Sequence, residues 1–242
     1  MNDFTDVILE GDCLERMREI PDASVDMVLC DLPYGTTQNK WDTVIPFAPL
    51  WTEYARVCRG AVVLTAAQPF TSALVMSRVD WFKHAWVWEK FAATGHLNAK
   101  RMPMKLHEDI LIFSKHLAPY NPQGLLPFNK LTKRGSNGTN FGKSGSENFQ
   151  EFTNYPRSIL RFPNDPKPEH PTQKPVDLFR YLIRTYSNEG DLILDNCLGS
   201  GTTAVAAIME GRHFIGIEKE PKYVEIAWRR IDEHDAANPA PR

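Results

Sequence analysis

The chain has 242 residues, 42% hydrophobic and 24% charged, enough apolar material to bury a core and too much for wholesale disorder. No apolar run approaches the ~20 residues of a membrane helix, Met1 to Asp6 lack a basic-then-apolar secretory pattern, and Cys13, Cys30, Cys58 and Cys197 show no CxxC spacing; a cytoplasmic protein is expected, with reduced, mostly buried thiols, no disulfide framework and no metal. The formal charge of −2 does not by itself suggest a polyanionic partner, yet Asn98 to Pro175 holds twelve Lys/Arg and six Asp/Glu, a surplus of +6 against −8 for the rest, as when one face meets phosphates. Chance asymmetry of a solvated surface is the competing explanation.

In chain order, strands are predicted at Val7 to Glu10, Val25 to Asp31, Ala61 to Thr65, His84 to Trp88, Glu108 to Phe113, Asp191 to Asp195 and His213 to Glu218. Helical patterns cover Leu14 to Ile20, Pro46 to Arg59, Pro69 to Arg78, Val176 to Ser187, Thr202 to Glu210 and Pro221 to Glu233. Asp12 is placed to cap the first helix, and Pro stands at or near the start of the fourth and sixth. This alternation is that of βα units around a largely parallel sheet. Periodicity stops from Leu117 to Glu169, where a Gly/Ser/Asn-rich stretch, Lys133 to Ser146, is flanked by prolines. Phe141, Phe149, Phe152 and Tyr155 are interleaved there with Lys and Arg, a mixture suited to phosphates and unstacked bases; a plain surface loop is the alternative.

Two segments carry chemistry. Val25 to Gly35 reads as a strand delivering Asp31-Leu32-Pro33-Tyr34 to a turn, with Asp31 at the carboxyl end, where ligands of open α/β sheets gather. Asp191 to Ala204 reads as a strand, a glycine turn (Asp195-Asn196-Cys197-Leu198-Gly199-Ser200-Gly201-Thr202-Thr203) and a helix start. The next strand ends at Glu218, whose carboxylate could accept two ribose hydroxyls. This turn points to a nucleoside cofactor without saying which, because it also fits the G-x-G-x-x-A dinucleotide fingerprint followed by an acid.

Asp31-Leu32-Pro33-Tyr34 resembles the Asp-Pro-Pro-Tyr motif of DNA amino-methyltransferases, Asp195 to Thr203 resembles their S-adenosylmethionine loop, and His170-Pro-Thr-Gln-Lys-Pro175 is similar to the segment before that loop. Catalytic motif, recognition insert and cofactor motifs, in that order, match the family's β class from about Val7 to Ile231. The resemblance implies a Rossmann-like S-adenosylmethionine-dependent methyltransferase fold: α/β, with a mostly parallel seven-stranded sheet, helices on both faces and a small recognition insert. Residues 1–116 would be the catalytic half of the core, 117–169 the target-recognition insert and 170–242 the cofactor half, with the Asp31 strand and the cofactor-turn strand side by side.

By the same resemblance S-adenosyl-L-methionine is the methyl donor and double-stranded DNA the partner; a homodimer and a cognate restriction endonuclease are compatible with it. Asp31 and the Leu32 carbonyl would accept the hydrogens of an exocyclic amine, Tyr34 would stack on the flipped base, and Pro33 completes the motif. Asp12, beside Gly11, would meet the cofactor's adenine ring or only cap a helix; Thr172 and Lys174 would touch its carboxylate end; Asp195, Asn196, Gly199, Ser200, Gly201, Thr202, Thr203 and Glu218 would form the rest of its site. Leu32 departs from the commoner Pro, which puts the rigidity of Asp31 in question. Trp88, Glu89, His107 and Glu108 read as scaffold, and Trp41-Asp42 as cleft wall without an assigned role. Adenine N6 is the expected target, because an Asp opens the motif where cytosine-N4 enzymes more often carry Ser. Cytosine N4 is the alternative, and a nicotinamide-dependent oxidoreductase the competitor from another class. No cysteine follows a proline, as cytosine-C5 chemistry would want.

Overall fold

Met27 to Cys30 and Leu192 to Leu194 are unbroken apolar runs, the signature of parallel strands covered on both faces, and both lie at the centre of one sheet. The structure, a computed structural model, describes residues 4–36, 39, 42–133, 147–166, 168–170 and 172–238. The elements are β1 (Val7–Glu10), α1 (Cys13–Met17), β2 (Val25–Cys30), α2 (Phe47–Val57), β3 (Cys58–Ala66), α3 (Phe70–Ser77), β4 (Phe82–Thr94), β5 (Lys105–Phe113), β6 (Leu126–Lys133), β7 (Glu147–Thr153), β8 (Ile159–Arg161), α4 (Val176–Tyr186), β9 (Leu192–Asp195), α5 (Thr202–Met209), β10 (His213–Glu218) and α6 (Pro221–Ala237). Every strand and helix expected from the sequence is present.

The main sheet runs β1-β10-β9-β2-β3-β5-β4-β8; β5 pairs antiparallel with β3 and with β4, and every other pairing is parallel. The expected seven strands are joined by an eighth, β8, on the β4 edge. β2 and β9 are hydrogen-bonded neighbours (Val28 opposite Leu194) although 161 residues part them in sequence, so their carboxyl ends open side by side. Period-two alternation splits the core into two layers. Met27, Leu29, Ala61, Val63 and Ile193 face α4, α5 and α6; Val28, Cys30, Val62, Leu64 and Leu194 face α1, α2 and α3.

Asp12 accepts the Leu14 amide at the start of α1 (2.9 Å), and Pro221 occupies the first turn of α6. The stretch from Leu117 to Glu169 is not uniform. Pro122–Arg157 forms a compact unit of its own, a two-stranded antiparallel hairpin of β6 and β7, whereas 117–121 and 158–169 belong with the main unit. Residues 134–146, with most of the Gly-rich stretch and Phe141, lie outside the described residues, as does Trp41. No helix among the described residues is long and apolar enough to cross a membrane.

Candidate active site

β2 ends at Cys30, and Asp31 stands just past it. Its Oδ1 accepts the Tyr34 hydroxyl (2.8 Å) and the Thr65 hydroxyl, and its Oδ2 accepts Lys174 Nζ (2.6 Å). Thr65 is on β3 and Lys174 immediately precedes α4, so three separate segments converge on one carboxylate. Leu32 is buried, anchoring the motif in the core where Pro was the commoner residue. Asp42 closes the following loop by accepting the Gly35 and Thr36 amides (2.8 and 2.9 Å).

Lys174 is buried and also approaches Glu108 of β5 at 3.3 Å, while Glu108 pairs with Lys90 of β4. Two carboxylates and two ammonium groups thus form one neutral cluster. Burial pushes Glu108 up, but the charges of Lys174 and Lys90 outweigh it and hold the carboxyl below its ordinary value. Burial pushes Lys174 down, but Asp31 and Glu108 outweigh that and keep it protonated. Two protein carboxylates thus hold Lys174 Nζ, which has three hydrogens to offer. Tyr34 has a neighbour on its ring as well as a partner for its hydroxyl. Its ring stacks on Phe70 of α3 (centroids 5.2 Å apart, 26° between planes), and its hydroxyl holds Asp31.

Beside this cluster the turn after β9 is built largely by its own side chains. Asp195 accepts the Cys197 amide (3.0 Å) and the Thr203 hydroxyl; Tyr54 of α2 donates to Asn196 Oδ1 (2.6 Å); Ser200 Oγ donates to Gln173 Oε1 (2.8 Å); Thr202 Oγ1 lies 3.4 Å from the Lys174 carbonyl. Burial lifts Asp195 to about 6 against the opposing hydrogen bonds from Thr203 and Cys197. Gly199 and Gly201 have φ of 54° and 86°, in the left-handed region that favours glycine. A Cβ on Gly201 would lie 2.9 Å from that of Ala227, so α6 packs directly on the turn. Arg230 of α6 donates to the Ser200 carbonyl (2.6 Å). Glu218, at the end of β10, accepts the Gly199 and Glu220 amides (2.8 Å each), leaving each oxygen a lone pair.

A single cleft of about 620 Å³, entirely within the main unit, brings these parts together. Asp31, Leu32, Pro33, Tyr34, Asp12, Thr172, Lys174, Asp195, Asn196, Gly199, Ser200, Thr202, Thr203 and Glu218 all line it, and Gly201 lies under the turn. Thr172 touches His170 Nδ1 (3.1 Å). Lys90, Thr94, Asn164, Asp165 and Tyr223 also line the cleft, and sequence reasoning missed them. Of the residues missed, His170, Gln173, Cys197 and Leu198 lie within the quoted motifs and line the cleft as well. All four thiols are free, Cys30 fully buried and the other three partly so, and burial pushes Cys30 up to about 12 and Cys58 to about 11. Such thiols stay protonated and are poor nucleophiles. Among the described residues no His, Cys, Asp or Glu group is arranged to hold a metal.

The family model for N6/N4 DNA methylases matches residues 25–229. The chain belongs to this DNA methylase family. That membership sets aside the nicotinamide oxidoreductase reading that the glycine turn alone allowed. Among curated relatives, the DNA adenine methyltransferase YhdJ of Escherichia coli is 30% identical, covering 93% of this chain and 82% of its own; the type II methyltransferase M.HinfI of Haemophilus influenzae is 26% identical, covering 96% and 70%. Among solved structures, a complex of M1.HpyAVI with SAM superposes with a TM-score of 0.64 at 22% identity (92% of this chain, 98% of that one). The cytosine-N4-specific PvuII DNA methyltransferase does so at 0.66 and 16% (92% and 85%). At these identities the structural matches establish the α/β methyltransferase fold.

Proposed function

We propose that this methylase transfers the methyl group of S-adenosylmethionine to the N6 amine of adenine in double-stranded DNA. The observation that carries the reading is the placement of Asp31 at the end of β2, held from three sides, in the same cleft as the turn after β9. The donor fits that cleft: its volume lies in the small-molecule range, and Glu218 keeps lone pairs for ribose hydroxyls beside helix-start amides. S-adenosylmethionine supplies an electrophilic methyl group when bound.

The chain's own residues handle the acceptor. An exocyclic amine is a poor nucleophile because its lone pair is delocalised into the ring. Asp31 and the Leu32 carbonyl would accept its two hydrogens and favour a pyramidal nitrogen whose lone pair is free to attack. Asp31, which already accepts one of the amine hydrogens, would take the proton that the nitrogen gives up on gaining the methyl carbon, the sulfur leaving with the bonding pair. In-line placement supplies much of the effect, with no covalent enzyme intermediate. Lys174, backed by Glu108 and Lys90, fixes the carboxylate's position and compensates its charge. Tyr34 holds Asp31 through its hydroxyl, and the ring face turned away from Phe70 would stack on the flipped base.

Adenine rather than cytosine is supported by the Asp that opens the motif and by the 30% identical relative named an adenine methyltransferase. In the hairpin unit Leu131 and Phe149 face each other across the strands, both exposed, with Tyr155 also exposed and Lys130 over the Phe128 ring, in keeping with target recognition by this insert. Asp31→Ala is expected to cut methyl transfer by on the order of 10²–10³-fold or more, the scale for removing one preorganised group at a reacting atom. Calorimetric S-adenosylmethionine affinity should stay within about threefold, because no part of the turn after β9 bonds to Asp31. Retained transfer in this variant would refute the assignment.

A further inference from the structure

We infer that the arm joining β4 to β5, residues 91–106, is a second DNA-contacting element, built into the core rather than the insert, with Lys100, Arg101 and Lys105 on backbone phosphates and Leu97 against the bases. The inference rests on the DNA methylase reading and adds to it a surface and a task.

Register places the arm. Ala66 at the end of β3 pairs with Asp109, so the residues of β5 before Asp109 run past the edge of the sheet at which Asp31 stands. The β4–β5 ladder is regular from His84 opposite Ile112 to Glu89 opposite His107 and resumes at Thr94 opposite Lys105. At about 3.3 Å per residue, this carries the tip on the order of 15 Å beyond that edge. The root of the arm is tied into the catalytic cluster: Lys90 pairs with Glu108, Glu108 meets Lys174, and both Lys90 and Thr94 line the cleft.

Charge and exposure identify the occupant. From Phe91 to His107 there is no acidic residue, against three Lys/Arg and two His. Leu97 is 101% exposed, Phe91 70% and Met102 54%. Single exposed apolar residues need no explanation, but three on a projecting cationic arm at the mouth of a base-modifying cleft match a polyanion with stacked apolar bases. The tip is also pre-ordered. A short 3-10 turn, His96–Asn98, is followed by Arg101 and Met102 amides donating to the Asn98 carbonyl (2.8 and 3.0 Å), so docking orders little further chain. A base that leaves the stack opens a gap, and an apolar side chain the size of Leu97 can fill it.

The test uses the full chain. For a triple variant, Lys100→Ala with Arg101→Ala and Lys105→Ala, binding to a labelled random-sequence duplex is measured by anisotropy across salt concentrations. The slope of log affinity against log salt should fall in magnitude by about 2 to 3, with S-adenosylmethionine affinity within twofold of wild type. Leu97→Ala should bind the same duplex within about threefold yet transfer methyl groups to native unmethylated bacterial DNA about tenfold more slowly. An unchanged salt slope, or full-rate transfer by Leu97→Ala, overturns the proposal. So does a triple variant that changes sedimentation mass without changing the slope, which would make the arm an interface between copies of this chain. A wild-type protein that neither binds nor labels DNA refutes the underlying reading itself, a failure visible before any arm variant is compared.

Discussion

Asp31 owes its position to residues that are remote from it in sequence. Thr65 and Glu108 reach it or its partner Lys174 only because β3 and β5 are in register beside β2, so Thr65 went unread and Glu108 was read only as scaffold, whereas Asp31 and the Gly199–Gly201 turn announced themselves by local pattern. The Phe70 ring packed on Tyr34 was not legible for the same reason: it arrives from a helix that no local pattern connects to the motif. The cluster behaves as a unit. Lys174→Met leaves two buried carboxylates with one cation and should cost about 3–5 kcal/mol. Adding Glu108→Gln should recover part of this, so that the double variant is about 1 to 3 kcal/mol less destabilised than the sum of the singles in denaturant unfolding; additivity would contradict the coupling. Asp195 gives a pH signature. Its folded pKa of about 6 exceeds the ordinary carboxylate value, so the folded state binds the proton more tightly. The stability it contributes is present below about pH 4 and lost as pH rises to about 6, a loss of about 3 kcal/mol. Asp195→Asn lacks this term, so the Tm of wild type should fall relative to the variant between pH 4 and 6.5, and a constant difference would refute it.

At the scale of elements, α6 serves as the clamp on the turn after β9, the proposed cofactor site, through Ala227 against Gly201 and Arg230 on the Ser200 carbonyl. Gly201→Ala forces a Cβ into Ala227 at a φ of 86°, and about 1–3 kcal/mol of stability should be lost. Arg230→Met removes a partly buried charged donor. S-adenosylmethionine affinity should drop about tenfold by calorimetry, while the transfer rate at saturating cofactor stays near wild type. A lower saturated rate with unchanged affinity would place Arg230 elsewhere in the mechanism. The elements themselves were readable because apolar runs, Asp12 and the helix-start prolines mark their ends. The three unexpected strands lacked such marks. β8 is three residues long with one buried side chain, and β7 is mostly exposed, so neither shows a buried alternation to read.

For the whole molecule, the order of motifs along the chain becomes geometry through the sheet. The amino-terminal strand that leads to Asp31 and the carboxyl-terminal strand that leads to the glycine turn become neighbours, and one cleft opens at their shared end. Local pattern showed the strands, but only the resemblance to a family supplied their adjacency, because no local property of β2 encodes its pairing with β9. The basic middle of the chain was likewise visible as composition. That it divides between a hairpin unit and an arm of the core followed from register and contacts. The central claim is chemical, and one measurement meets it directly: incubate the purified protein with methyl-labelled S-adenosylmethionine and unmethylated bacterial DNA, digest to nucleosides, and identify the labelled product by mass. The expected product is N6-methyldeoxyadenosine; label in N4-methyldeoxycytidine, or none in DNA, would contradict the account.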